Sequence, residues 1–216
     1  MRQLFFALLI TMAVKTTHAQ IFYVIGPVFM SGSIGAAIMP EHGFLPGKAF
    51  KFYPTINKYD FTGLKMRVEL YDVRDSLKLT AIPCSQTEIN NKSEFTGQTG
   101  TAKVGEYFQN LFSQSGIVLD SAASDTLKVY LEALDARLIG FGSITAHGLC
   151  QMQMRYKNIS KTYCNDITDK DPHSPIGKNA FVTRKTATRV IASAGIREVI
   201  EQFFVDLKAE RSAAGN

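Results

Sequence analysis

The residues that could do chemistry are few and dispersed. The chain has three cysteines, Cys84, Cys150 and Cys164, and four histidines, His18, His42, His147 and His173. There is no Cys-x-x-Cys pair, and no His-Glu-x-x-His pair that would set two zinc ligands on one helical face. His147 lies three residues from Cys150, which places the two on opposite faces of a strand and argues against a cysteine nucleophile. Asp166, Asp169 and Asp171 could offer oxygens to calcium, but their loop lacks the spacing of a calcium motif. Ser31-Gly32-Ser33-Ile34-Gly35 is not the Gly-x-Ser-x-Gly elbow of a serine hydrolase. Gly97 to Gly100 is not followed by the Lys-Ser/Thr of a phosphate cradle. Paired acids for glycosidic cleavage leave no local mark, and nothing in the chain points to them. The expectation is therefore a protein with no catalytic residues, no metal and no cofactor.

Two constellations remain as candidates. Cys150 and Cys164 lie on adjacent strands of one hairpin and form a candidate disulfide. A turn centred on Lys157 sets them opposite each other. A two-residue turn at Lys157-Asn158 instead sets Cys150 opposite Asn165 and turns Cys164 to the other face. The second register buries Ile159, Tyr163 and Ile167 with Met152 and Met154, so burial favours it. Cys84 is then the odd thiol or an alternative partner. Asp72, Arg74 and Asp75 cluster at a strand end and are a candidate partner surface, with a turn-forming Asx hydrogen bond or a local ion pair as the structural explanation.

The elements that position these residues follow from periodicity. Leu64, Met66, Val68 and Leu70 alternate with Lys65, Arg67, Glu69 and Tyr71, the pattern of a half-buried strand. Leu77 and Leu79 are expected to begin another. Residues 85–100 are polar and read as a loop. Val104, Tyr107, Phe108, Leu111 and Phe112 give one apolar stripe, predicting a helix over 101–115 with Gly116 as its cap. Residues 125–140 read as a long strand whose apolar phase changes near residue 134, where a bulge would swap the faces. Strands over 144–156 and 159–167 complete an antiparallel meander. Residues 168–180 form a polar loop. A last helix runs from Thr183 to about Lys208, with a kink or a second packing surface expected at Ala194-Gly195. The expected fold is α+β, a two-layer sandwich with a mostly antiparallel sheet and two main helices on one face.

The N-terminus sets the compartment. Residues 1–19 carry Arg2, an apolar run from Leu4 to Val14 and Thr17-His18-Ala19 at the end, the layout of a secretory signal peptide. The alternative is an uncleaved anchor. Residues 20–47 are apolar but broken by Gly26, Pro27, Gly32, Gly35 and Pro40, and read as an arm that packs on the domain or a partner, or that meets a membrane surface. Residues 48–209 form one α+β domain, and 210–216 a disordered tail.

The 216 residues are 45% apolar, 20% charged and 11% aromatic, which excludes disorder, collagen and coiled coil. Loss of Arg2 and Lys15 with the signal lowers the formal charge from +5 to +3. That mild balance does not suggest nucleic acid. Asn91-Lys92-Ser93 and Asn158-Ile159-Ser160 would be glycosylation acceptors in a eukaryote, but a bacterial source is favoured.

The order of elements, with Asp72-Val73-Arg74 closing the first strand, an amphipathic helix and short strand over Ala102 to Leu119, and the strand Thr126 to Leu134, resembles the YajG-like lipoproteins of the bacterial envelope over residues 62–208. Lipopolysaccharide-assembly lipoproteins and auxiliary lipoproteins of envelope lipid transporters are similar in layout. The chain departs from all three in lacking the lipid-bearing Cys. The resemblance implies no catalytic residues. The expectation is an exported, non-enzymatic protein of the periplasm or outer-membrane periphery of a Gram-negative bacterium. It would serve as a binding or assembly module with an envelope protein or lipid as partner. The alternative is a periplasmic carrier or chaperone for lipid or another apolar ligand, using the Met/aromatic sheet face and the arm.

Overall fold

The computed structural model describes residues 55–90, 95, 98–140, 143–176 and 184–214. The expected signal peptide at 1–19, the expected arm at 20–47, His42, the expected turn at Phe141-Gly142, Asn91, Thr183 and residues 215–216 lie outside the described residues. Among the described residues eight elements follow in order: β1 (Lys65–Asp72), α1 (Arg74–Leu77), α2 (Gln98–Gln114), β2 (Val118–Leu119), β3 (Thr126–Ile139), β4 (Thr145–Tyr156), β5 (Ile159–Thr168) and α3 (Arg184–Ala214). The five strands form one sheet in the order β2-β1-β3-β4-β5. β1 lies between two parallel partners, while the long β3–β4–β5 ladders are antiparallel. The fold is α+β, as the periodicity predicts.

The strand from Leu77 does not form. Residues 74–77 make a single helical turn instead, closed by Lys78 in the left-handed conformation. The reason is Arg74, which turns back into the protein and bends the chain off the sheet. The helix at 98–114 buries Val104, Tyr107, Phe108, Leu111 and Phe112, each at most 2% exposed. It ends at Gly116, whose positive φ an L side chain would resist and whose missing Cβ leaves room for Thr62.

The change of apolar phase in β3 is a bulge. The ladder with β4 shifts between Leu131 and Ala133. Leu127, Val129 and Leu131 precede it, and Leu134 and Ala136 follow it, all on the helix-covered face. Without the extra residue the second half of β3 would present Ala133 and Asp135 to the helices.

α3 crosses this face unbroken from Arg184 to Ala214, so residues 210–214, expected in a disordered tail, continue the helix instead. The helix assignment runs on through Ala194-Gly195, and the second packing surface is found there. A Cβ on Gly148 of β4 would lie 2.2 Å from the Ile191 carbonyl oxygen, and one on Gly195 would lie 3.1 Å from the Gly148 carbonyl oxygen. Helix and strand therefore touch backbone to backbone. The outer side of α3 is also used. Glu201 accepts hydrogen bonds from the amides of Ile56 and Asn57 at 2.9 and 2.7 Å, and Arg197 donates to the His173 carbonyl. Met152 and Met154 are fully buried in the common core with Phe203, Phe204 and Tyr163. The Met/aromatic face proposed for an apolar ligand is thus filled by the protein's own helices. Among the described residues no helix is long and apolar enough to cross a membrane.

Candidate functional site

The second face of the sheet carries the unusual chemistry, and among the described residues no long helix covers it. Half of it lies under residues 78–90, a strap that packs Ile82 on Ala133 and Leu149, with Leu79 and Ile89 beside them. The strap is fastened at several points. Cys84 forms a disulfide with Cys164 of β5, Cα to Cα 6.1 Å. Ser85 donates to Asp166. The Asn90 amide donates to Asp135, a fully buried acid of β3, at 2.6 Å. Arg137 donates to the Glu88 carbonyl.

The expected Cys150–Cys164 bridge is corrected by this arrangement. The β4–β5 turn takes two residues, Lys157 and Asn158, with Lys157 at φ 48°, so Cys150 faces Asn165 and Cys164 faces Gln151. Cys150 points to the helices and Cys164 to the strap. Cys150 is left as a buried free thiol, and burial pushes its ionisation well above the ordinary range, which makes it a packing residue and not a nucleophile.

The disulfide borders an open cleft of about 720 Å³ lined by Ser85, Arg137, His147 and Asp166 among others. Here a serine, an aspartate and a histidine meet, but in the wrong order for nucleophilic catalysis. His147 Nδ1 lies 2.9 Å from Asp166 Oδ1. The Ser85 hydroxyl donates to the other oxygen of the same carboxylate and accepts from the Thr87 amide at 2.9 Å. A serine nucleophile needs the imidazole beside its hydroxyl to take the proton. Here the carboxylate stands between them, so the cluster fastens the strap. Neither Ser85 nor Asp166 carried a local sequence signal as a pair, since they are 81 residues apart.

Asp72, Arg74 and Asp75 divide. Arg74 is 8% exposed and forms a two-point bridge to Asp72, Nε to Oδ1 at 2.9 Å and Nη2 to Oδ2 at 2.6 Å. It also donates to the Phe95 carbonyl and to Thr101 of α2. The Arg74 guanidinium holds the Asp72 carboxyl down at about 2. This pair locks the end of β1 to the start of α2. Asp75 stays exposed at the rim of a cavity of about 190 Å³ that Lys78, Asn90 and Glu132 also line.

The loop acids have structural roles as well. Asp169 accepts from the Ala146 amide, and Asp171 accepts from the amide and hydroxyl of Thr168. Among the described residues no group of three His, Cys, Asp or Glu side chains gathers where it could hold a metal ion.

No family model and no curated protein matches the chain. Solved structures similar to it include a Xanthomonas campestris protein of family DUF330, at 11% identity over 74% of this chain and 95% of that one, TM-score 0.32. A minor lipoprotein from Acinetobacter baumannii is 10% identical over 68% of this chain and 94% of that one, TM-score 0.30. An uncharacterized protein is 16% identical over 70% and 96%, TM-score 0.29.

Proposed function

We propose that the protein is exported to the bacterial envelope and works there as a binding or assembly module of YajG-like layout, without catalysing a reaction. The Cys84–Cys164 bridge carries this reading. It joins an exposed strap to the sheet, and such bonds persist in oxidising compartments outside the cytosol. The signal-like N-terminus is consistent with that destination. The residues that most resemble a catalytic cluster, Ser85, Asp166 and His147, are spent on holding the strap in place. A rigid scaffold with a pinned surface segment suits recognition of a partner.

The test is mild crosslinking in the native host, followed by purification and mass spectrometry of protein and lipid. A recurrent envelope protein in the crosslinked band is the expected result. A monomer that turns over a substrate in a hydrolase screen would contradict it.

A further inference from the structure

Among the described residues nothing lies over the other half of the second face, and its charges are arranged against themselves. Lys128 of β3 and Arg155 of β4 are direct cross-strand partners on that face, and both are exposed. Like charges set opposite each other destabilise a sheet. The neighbouring acid does not relieve them. Glu69 is in register with Lys128 across β1, yet it turns along its own strand to Arg67 at 3.2 Å and to the Tyr71 hydroxyl at 2.8 Å. Arg155 donates to Gln153 and lies over the Tyr130 ring, 5.1 Å from its centre. Tyr130 in turn stacks on Tyr71, ring centres 5.1 Å apart. Arginine and two tyrosines thus form one column across three strands, with Lys128 beside it.

We propose that this open half-face is a docking surface for the anionic headgroups of a lipid bilayer. Two features of the surface select that partner. Both cations are exposed, so a small anion held between them in water would gain little; a plane of many anions engages them together. The second feature is the aromatic column: Tyr71, Tyr130 and Arg155 stack side by side across three strands of the sheet surface. Tyrosine beside arginine and lysine is the composition that settles at headgroup depth. The proposal deepens the envelope reading by naming the membrane surface as what this face meets.

The experiment is cosedimentation of the full exported chain with phosphatidylcholine vesicles, with and without phosphatidylglycerol. The wild type is expected to bind the anionic vesicles only. The double variant Lys128→Gln with Arg155→Gln should bind them ~25-fold more weakly, about fivefold per charge. Lys170→Gln with Lys208→Gln removes the same charge elsewhere on the surface and should leave binding unchanged. Circular dichroism checks that each variant is folded. Equal loss in both variants, equal binding to neutral vesicles, or binding to soluble polygalacturonate with no vesicle binding would each overturn the proposal. Crosslinking to an envelope protein without vesicle binding would sink this surface and leave the assembly reading standing. Vesicle binding with no crosslinked partner would do the reverse.

Discussion

Removing the disulfide tests the link between the strap and the stability of the whole domain. Cys84→Ser with Cys164→Ser opens a loop closed across 80 residues. Chain entropy alone assigns a loop of that length about 4.5 kcal/mol. The strap keeps its other fastenings, Ser85 to Asp166 and Asn90 to Asp135, and its small apolar cluster around Ile82. The folded state therefore survives while the unfolded chain gains its freedom. The loss should be ~3–5 kcal/mol in equilibrium urea unfolding, lowering the midpoint by roughly 2 M. Amide exchange should rise first at residues 82–90 and not in β4 or α3. A midpoint within about 0.5 M of the wild type, or exchange rising first in the helix-covered core, would refute the reasoning.

Other expectations follow from single contacts. Gly148→Ala should cost ~3 kcal/mol, because its Cβ meets the Ile191 backbone at 2.2 Å and α3 would have to lift; Gly195→Ala, with its nearest atom at 3.1 Å, should cost clearly less in the same thermal unfolding assay. Glu201→Ala should cost ~2–3 kcal/mol, since two amides near the chain's entry to the domain lose a buried carboxylate; exchange at Ile56 and Asn57 would report it. Asp72 is bonded in its ionised form, and its carboxyl lies at about 2 instead of 3.8. Its contribution is complete above about pH 4 and is lost as pH falls through about 2. After allowance for solvent screening it is worth ~1 kcal/mol. Asp72→Asn should flatten that part of the stability–pH curve, and an unchanged acid limb would count against the bridge.

Much of the fold was legible because local periodicity decided it. Alternation marked β1, the stripe of Tyr107, Phe108, Leu111 and Phe112 marked α2, and the change of phase in β3 marked its bulge within a few residues. Burial of Ile159, Tyr163 and Ile167 chose the β4–β5 register. What was not legible depends on distant partners. The local ion pair of Arg74 with Asp72 was legible, but not the reach of the same guanidinium to Phe95 and Thr101. Residues 85–100 read as a polar loop, but the stretch includes Phe95, 1% exposed, and the first turn of α2. Gly148 and Gly195 became meaningful only when strand and helix met. The disulfide sits between these cases. The favoured register already faced Cys164 away from Cys150, yet the sequence kept their bridge as the candidate and Cys84 as the odd thiol or an alternative partner, because nothing local showed that residues 78–90 return over that face. The site residues were least legible for the same reason: Ser85, His147 and Asp166 come from three separated segments.

The most direct measurement of the central claim is thiol trapping in intact cells of the native host, with separation of the envelope fraction from the cytosol. The account predicts the protein in the envelope fraction with Cys84 and Cys164 protected, and with Cys150 reacting only after denaturation. Three free thiols on a protein recovered from the cytosol would contradict it.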